Sequence, residues 1–312
     1  MNNFINILML ATTLIILSGC SQDAYQLSYR LEPGETYYID AAISQSLQQD
    51  FMQQDMKMST NINATAEYEV AGKQDGIYDL QVSYSEFDMA LNTPQGQMEF
   101  GTSKQDTTDD FSNILKSMSD NKFELKMTER GSIQSVRGIE KMFDEMLSSM
   151  ENTDQTSFDQ LKKSLDNIAG TQSFKGNFGM GMPFYPEDNV KVGDTWTNEV
   201  ELKTIALGKV SNTWKLMEVK KNIIRISGEG YFVSYSDSAS IADTGIPMQF
   251  DMEGPINYLL NIDLKTGWIK SGTIDQDIQG MIKMQASEQM PQGLEMNMNI
   301  TTSMEVKGGK KR

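Results

Sequence analysis

The chain contains no histidine and only one cysteine among its 312 residues. Without imidazole, no Ser-His-Asp or Cys-His catalytic site can form, and metal sites that depend on histidine are excluded. A single cysteine also rules out a disulfide within the chain, so burial and hydrogen bonding must hold the fold together. We find no Gly-rich phosphate loop and no nucleophile motif. The sequence therefore predicts no catalytic residue, no metal site and no cofactor, and a protein that is not an enzyme.

Positive charge is also scarce. Twenty-seven Lys and Arg residues stand against 43 Asp and Glu residues, which gives a formal net charge of -16. Such a chain is repelled by nucleic acid and by anionic head groups, so we expect neither as a partner. Acidic pairs such as Asp275 with Asp277 are typical of a solvated strand face. They leave a hydrolase with two carboxylates as an alternative, although sequence spacing cannot show two carboxylates facing each other across a cleft.

The amino terminus lacks Lys and Arg but carries an apolar run over residues 4–17. This run is shorter than the roughly 20 residues that span a bilayer, and its length is typical of a signal-peptide core. It ends in Leu17, Ser18, Gly19 and Cys20, which resemble the four positions of the lipobox of bacterial lipoproteins. The resemblance implies a signal peptide over residues 1–19, acylation of Cys20, and a lipidated tether over residues 20–27. It also implies attachment to a membrane of the cell envelope.

Alternating apolar and polar residues predict long strands in residues 28–170 and again in residues 190–307. Between the first-half strands, apolar residues at helical spacing predict three amphipathic helices, around 111–118, 139–150 and 158–168. Residues 171–189, rich in Gly, Met, Phe and Pro, are interpreted as the connection between the halves. Residues 308–312 are predicted to be a basic tail.

Two short segments of the second half resemble segments of the first. Leu31–Tyr37 aligns with Val190–Trp196 through a shared Gly-acid-Thr-aromatic pattern, and Arg130–Ser135 aligns with Thr266–Ser271. Matches in the same order suggest an internal repeat, although chance similarity between strand and turn sequences is the alternative. The predicted fold class is mainly β (α+β), with two related curved antiparallel sheets and about three amphipathic helices in the first half.

Methionine is abundant, with 23 residues, and it favours the apolar faces of the predicted strands. Thioether clusters such as Met180 with Met182 can bind Cu(I), but His or Cys usually completes such sites. Unbranched Met also suits a surface that adapts to apolar ligands, but plain core filling remains the leading explanation of its abundance. The candidate lining of an apolar ligand site is Met56, Met58, Ile62, Met296, Met298, Ile300 and Met304.

The sequence resembles uncharacterised lipoproteins of Bacteroidota in three features. These are the lipobox, the two strand starts at Gly34 and Gly193, and the prolines Pro183 and Pro186 before the second start. A looser architectural resemblance is to the lipoprotein-carrier fold, which implies a curved antiparallel sheet around an apolar cavity. We therefore expect a protein of the cell envelope, anchored through Cys20 to the outer membrane and facing the periplasm or the cell surface. Its expected role is to bind an apolar ligand; the alternative is structural or assembly work with another envelope protein.

Overall fold

Strands dominate the structure. The computed structural model describes residues 23–51, 54–94, 96–103, 121–139, 141, 176, 178–203, 207–235, 240–241, 247–286 and 292–311. Of these residues 73% lie in strands and 3% in helices, and no helix among them reaches seven residues.

Thirteen strands follow one another along the chain. Their bounds are β1 Thr36–Phe51, β2 Gln54–Gln74, β3 Ile77–Thr93, β4 Gly96–Gly101, β5 Phe123–Thr128, β6 Ile133–Arg137, β7 Thr195–Lys203, β8 Leu207–Lys220, β9 Ile223–Ser234, β10 Ser240–Ile241, β11 Pro247–Asp263, β12 Ile269–Met284 and β13 Leu294–Lys310.

All thirteen strands belong to one antiparallel sheet. Its order is β6-β5-β3-β2-β1-β13-β12-β11-β9-β8-β7, with β4 paired to β3 and β10 paired to β11 beside this path. Each half of the chain is therefore an up-and-down meander, and the two halves join where β1 pairs with β13. That pairing runs from Tyr37 opposite Lys310 to Gln49 opposite Met298. The first and last strands thus lie side by side in the middle of the sheet.

The predicted fold class was wrong in its number of sheets and in its helical content. The two halves do not form two sheets, because β13 offers β1 a free edge and the thirteen-residue pairing removes two exposed edges at once. The part of the chain that the structure describes contains no amphipathic helix. The predicted helices at 111–118 and 158–168 lie outside the described residues, as does most of the one at 139–150.

One face of the sheet forms the core. Burial alternates residue by residue along β9, where Ile224, Ile226 and Phe232 are buried and their neighbours are mostly exposed. This period of two is the consequence of the strand pleat, which sends successive side chains to opposite faces. The inward face carries Trp214, Tyr258 and the other large core residues, whereas the charged residues point outward.

The two edge strands, β6 and β7, face each other across a seam that residues 178–186 occupy. Tyr185 N donates to Arg130 O on one side (2.9 Å), and Trp196 Nε1 donates to Phe184 O on the other (2.6 Å). A Cβ added at Gly179 would lie 3.3 Å from a Val200 methyl group. Because one short segment touches both edges, the sheet must curl until its edges approach.

The two turns that resemble each other in sequence also have the same backbone hydrogen bonds. Gly34 N donates to Val70 O and Gly193 N donates to Leu216 O, each at 2.8 Å. Both glycines have positive φ, +85° and +99°, a conformation that side chains disfavour. Each turn therefore starts its strand in the same way.

The ends of the described chain are tied into the fold. Leu27, in the predicted tether, is 2% exposed, and Tyr25 forms an isolated antiparallel bridge with Val190. Residues 308–310, in the predicted tail, are the last residues of β13. Lys311 N then donates to Thr36 O at 2.8 Å.

Candidate functional site

The inward face of β2, β1, β13 and β12 is organised in cross-strand rows. Two apolar rows are Ile62–Ile43–Met304–Ile274 and Met58–Leu47–Ile300–Ile278. A third row is Met56–Gln49–Met298–Gly280. Residues opposite one another on neighbouring strands touch, so each row is a continuous strip of side chains across the sheet.

The structure brings six of the seven predicted lining residues together in these three rows. Met58 and Ile300 flank Leu47, while Ile62 and Met304 flank Ile43. All of these residues are half-buried. The remaining predicted residue, Met296, pairs with Ile282 and is 8% exposed, so it belongs to the packed core. The predicted lining included no residue of β1, although β1 lies between β2 and β13 and joins their apolar faces.

An apolar cavity of about 250 Å³ lies at the end of this face where β1 begins and where β2 and β13 end, which we call the lower end. Its floor includes Ala41, which pairs with Ala64, a pair of small side chains that leaves space above the sheet. Its lining is made of Ile39, Ala41, Tyr68, Tyr84, Phe178, Gly181, Met182, Met304 and Val306. No Asp, Glu, Lys or Arg is among these residues, so the cavity suits an apolar group.

One wall of the cavity comes from the seam segment, which buried hydrogen bonds hold in place. Tyr185 Oη donates to Gly267 O at 2.7 Å, and Tyr29 Oη donates to Pro183 O at 3.2 Å. Burial raises the pKa of both tyrosines, so they stay neutral donors. These bonds position Phe178 and Met182 against the sheet.

The other wall is aromatic and continues into the core. The Tyr68 ring contacts Trp268 edge-on, with centroids 5.1 Å apart, and Phe178 at 6.4 Å. Trp268 is fixed by its Nε1, which donates to Tyr38 O at 3.0 Å. Burial raises the pKa of Tyr68, and it raises the pKa of Tyr84 to about 12. The wall is therefore rigid and uncharged at neutral pH.

A larger hollow, of about 860 Å³, lies at the opposite end of the strands. Met56 and Met298 line it, but so do Asp50, Lys57 and Asp251. Nine of its thirteen lining residues are polar or charged, and most of these lie on the outward face of their strands, so this hollow suits water better than an apolar molecule. The predicted lining therefore divides: Met304 lines the apolar cavity, Met56 and Met298 border the polar hollow, and Met58, Ile62 and Ile300 lie between.

Other predicted features gain no chemistry from the structure. Within the described ranges, no three His, Cys, Asp or Glu residues are grouped so as to hold a metal ion. Met182 lies in the cavity wall and Met180 is half-buried against the core. Leu17, Ser18, Gly19 and Cys20 lie outside the described residues. No described helix is long and apolar enough for a membrane span.

Sequence reasoning missed the cavity residues that come from outside the Met-rich strands. Tyr68 and Tyr84 fit the alternating pattern of their strands, and nothing local distinguishes them from core residues. Phe178 and Met182 belong to the Gly- and Met-rich connection, whose glycines at 176 and 179 lie close to Glu201, Leu202 and Val200 of β7. The glycines in the sequence could indicate a close approach, but they could not show that the neighbouring strand would be β7.

No curated protein matches the chain significantly. Among solved structures, one of lipid-protein interactions in lipovitellin is similar at 9% identity and a TM-score of 0.45, covering 90% of this chain. This chain spans only 26% of that lipovitellin chain. The outer membrane protein OprG from Pseudomonas aeruginosa is similar at 7% identity and a TM-score of 0.23, covering 90% of this chain and 98% of its own. An outer membrane channel from Pseudomonas putida F1 is similar at 9% identity and a TM-score of 0.24, and the match covers 90% of this chain and 97% of the channel. Likenesses this weak carry no argument about function.

The family comparison is more informative, because it covers the strands from β3 to β11 and the seam. Residues 75–269, more than half of the chain, match the profile described as "Family of unknown function (DUF6263)". The protein therefore belongs to this family of unknown function.

Proposed function

We propose that the protein binds an apolar ligand, such as a single acyl chain, on the inward face of its sheet. The observation that carries this proposal is the uncharged cavity of about 250 Å³ beside Met304, which continues into the half-buried apolar rows. Burying an apolar chain there contributes about 25 cal/mol per Å² of area removed from water. Methionine in the lining allows the site to adapt to chains of different shape.

The membrane anchor is part of the same proposal. Acylation of Cys20 would hold the protein beside a bilayer, in the outer membrane and facing the periplasm or the cell surface. Tyr25, five residues along the chain, is already paired with Val190 at the lower end of the sheet. This end is also the one that holds the cavity. A ligand leaving the bilayer would thus have a short path to its site.

Filling the cavity tests the proposal. Ala41→Trp places an indole where the ligand would lie, and Ala42→Trp, one residue along, places the same group on the exposed outer face. Both variants are made in the whole chain with Cys20→Ser, and binding of phenylnaphthylamine, a neutral apolar fluorophore, is measured by its fluorescence. We expect Ala41→Trp to abolish binding and Ala42→Trp to preserve it.

The smaller Ala41→Leu variant guards against misfolding, since it should weaken binding in proportion to the space it takes. Circular dichroism of each variant reports whether the sheet is intact. Equal binding by folded Ala41→Trp and Ala42→Trp would refute the proposed site.

A second candidate is a surface for another envelope protein. It is favoured by exposed apolar side chains on the outer face of β9, where Tyr231 and Val233 are each 45% exposed. Pro255 of β11 lies opposite Tyr231 and is also exposed. A photo-crosslinking residue at position 231 should then capture a defined partner in cells, whereas one at Glu229 on the same face should not.

A further inference from the structure

A row of polar side chains crosses the apolar inward face of the sheet. The register places Thr60, Gln45, Thr302 and Gln276 side by side on β2, β1, β13 and β12. On each of these strands the residues two before and two after are apolar, because the rows on either side are Ile62–Ile43–Met304–Ile274 and Met58–Leu47–Ile300–Ile278. Four strands thus interrupt an apolar face at one level. We name these four residues the polar row.

The polar row can hydrogen bond but carries no charge. Gln45 Nε2 donates to Thr302 Oγ1 at 3.2 Å, and Thr302 is 8% exposed. Amide and hydroxyl groups both donate and accept, so the row retains capacity for a further polar group. Within the row Thr302 is buried, Thr60 and Gln276 are half-buried and Gln45 is exposed, so the amide of Gln45 is open to a ligand. Burying the Thr302 hydroxyl costs free energy that its hydrogen bond must offset.

Formal charge is absent from the surrounding face. Between Tyr37 and Gln49 of β1, Met56 and Val70 of β2, Leu294 and Gly308 of β13, and Gly272 and Met284 of β12, no inward-facing residue is acidic or basic. An ionised carboxylate or phosphate would lose part of its hydration at this face without meeting an inward-facing cation, since the nearby Lys57 lies on the outer face of β2. A hydroxyl, ester or amide group would not suffer that loss.

The polar row also has a defined distance from the apolar cavity. Met304, one row away, already lines the cavity, which extends to Ile39. From Gln45 to Ile39 is six residues along β1, or about 20 Å at roughly 3.3 Å per residue. This separation places an extended apolar chain between a polar group at the row and a terminus in the cavity.

We propose that the ligand is a neutral monoacyl lipid, whose chain runs along the strands across the Met304 row into the cavity and whose hydroxyl, ester or amide group hydrogen bonds to the polar row. This inference rests on the proposed function and adds the ligand's chemical class to it. Recognition comes from Gln45 and Thr302, and the absence of cations on the face discriminates against fatty-acid anions.

Competition between two lipids of the same chain length tests this inference. Monopalmitoylglycerol, which is neutral, and palmitate, which is an anion, are each used to displace phenylnaphthylamine from the whole chain carrying Cys20→Ser. We expect monopalmitoylglycerol to compete at roughly tenfold lower concentration, as one or two neutral hydrogen bonds imply.

Thr302→Val keeps the side-chain shape and removes the hydroxyl, and Gln45→Met keeps its length and removes the amide. Each should reduce the preference for monopalmitoylglycerol several-fold, measured as the ratio of the two competing concentrations, while the circular dichroism stays native. Thr301→Val, on the exposed outer face of the same strand, should alter neither. Having two row variants keeps the test valid if one of them fails to fold.

The outcomes separate the two proposals. If the fluorophore binds and responds to Ala41→Trp, but the two lipids compete equally or palmitate competes better, the neutral-lipid inference fails and the apolar site stands. The inference fails likewise if the preference survives in both row variants. If the fluorophore does not bind at all, the proposed function fails and takes the inference with it.

Discussion

Gly131 shows how a single residue fixes the seam. Its φ is +89°, and a Cβ at this position would lie 2.5 Å from Pro183 O and 2.9 Å from Tyr29 Cε2. Gly34 has a similar φ of +85° but has no atom within 4 Å of such a Cβ. Alanine substitutions at the two glycines therefore separate two costs in folding free energy. One comes from the positive φ, which both share, and the other from the close contact, which only Gly131 has.

We expect Gly34→Ala to lower the free energy of unfolding by about 1 to 2 kcal/mol, the usual cost of a left-handed non-glycine residue. Gly131→Ala should lower it by about 3 kcal/mol or more, because the seam segment must also move away. Urea denaturation followed by circular dichroism measures both. Equal losses in the two variants would mean that the contact with Pro183 adds nothing.

Buried tyrosines predict how stability depends on alkaline pH. Burial raises the pKa of Tyr68, Tyr185 and Tyr258, and it raises that of Tyr84 to about 12, against an ordinary value of 10.0. Below pH 10 these groups are neutral in both states, so their contribution is fully present. Above pH 10 the unfolded chain loses tyrosine protons that the folded chain retains, so stability falls as the pH rises towards and beyond 12.

The measurement is tyrosinate absorbance against pH, recorded together with circular dichroism. We expect most of the tyrosinate signal to appear only as the sheet unfolds. Full ionisation of the buried tyrosines while the circular dichroism stays native would contradict their burial.

At the scale of elements, β13 determines whether the two halves of the sheet unfold together. It pairs with β1 on one side and β12 on the other, so each backbone N–H in its middle faces a neighbouring strand. Glu305 lies in this stretch with its side chain exposed on the outer face. A change to its backbone can therefore be tested without changing the core.

Glu305→Pro should destabilise the protein by about 3 kcal/mol or more, because proline breaks the hydrogen bonding of a central strand. Glu305→Ala, which keeps the backbone donor, should stay within about 0.5 kcal/mol of the parent. In both, tryptophan fluorescence, which reports on Trp196, Trp214 and Trp268, should change at the same urea concentration as the circular dichroism. Two separate transitions would show that the halves unfold independently.

At the scale of the whole molecule, the proposed anchor at Cys20 would determine where the apolar face works. Replacing the Cys20 thiol by hydroxyl removes the proposed acylation site, so Cys20→Ser should move the protein from the membrane fraction to the soluble fraction. The mass of the purified chain should lose its acyl groups in the same variant. The control is Ser18→Ala, which retains the Cys20 thiol and should stay in the membrane fraction. If Cys20→Ser still cosediments with membranes, the proposed anchor is contradicted.

The predicted strands and their inward faces were largely readable from the sequence, because alternation with a period of two is a local property of the pleat. Met58, Ile62, Ile300 and Met304 were assigned to apolar faces in this way, and all four lie on one inward face. The turns at Gly34 and Gly193 were also readable, since a positive φ leaves a glycine at the site. Membership of one sheet was not readable, because the pairing of β1 with β13 joins residues more than 240 positions apart.

The sequence by itself determined that this chain would build long amphipathic strands, that it could not use histidine chemistry or disulfides, and that its N terminus has a lipobox-like motif. Only the tertiary structure decided that these strands form a single curled sheet, that residues 178–186 close its seam, and that Ala41 and Tyr84 meet at one cavity. It also decided the polar row, whose four members are scattered between positions 45 and 302. The physical reason is register: the pleat fixes which face a side chain takes, but the pairing of distant strands fixes which side chains become neighbours.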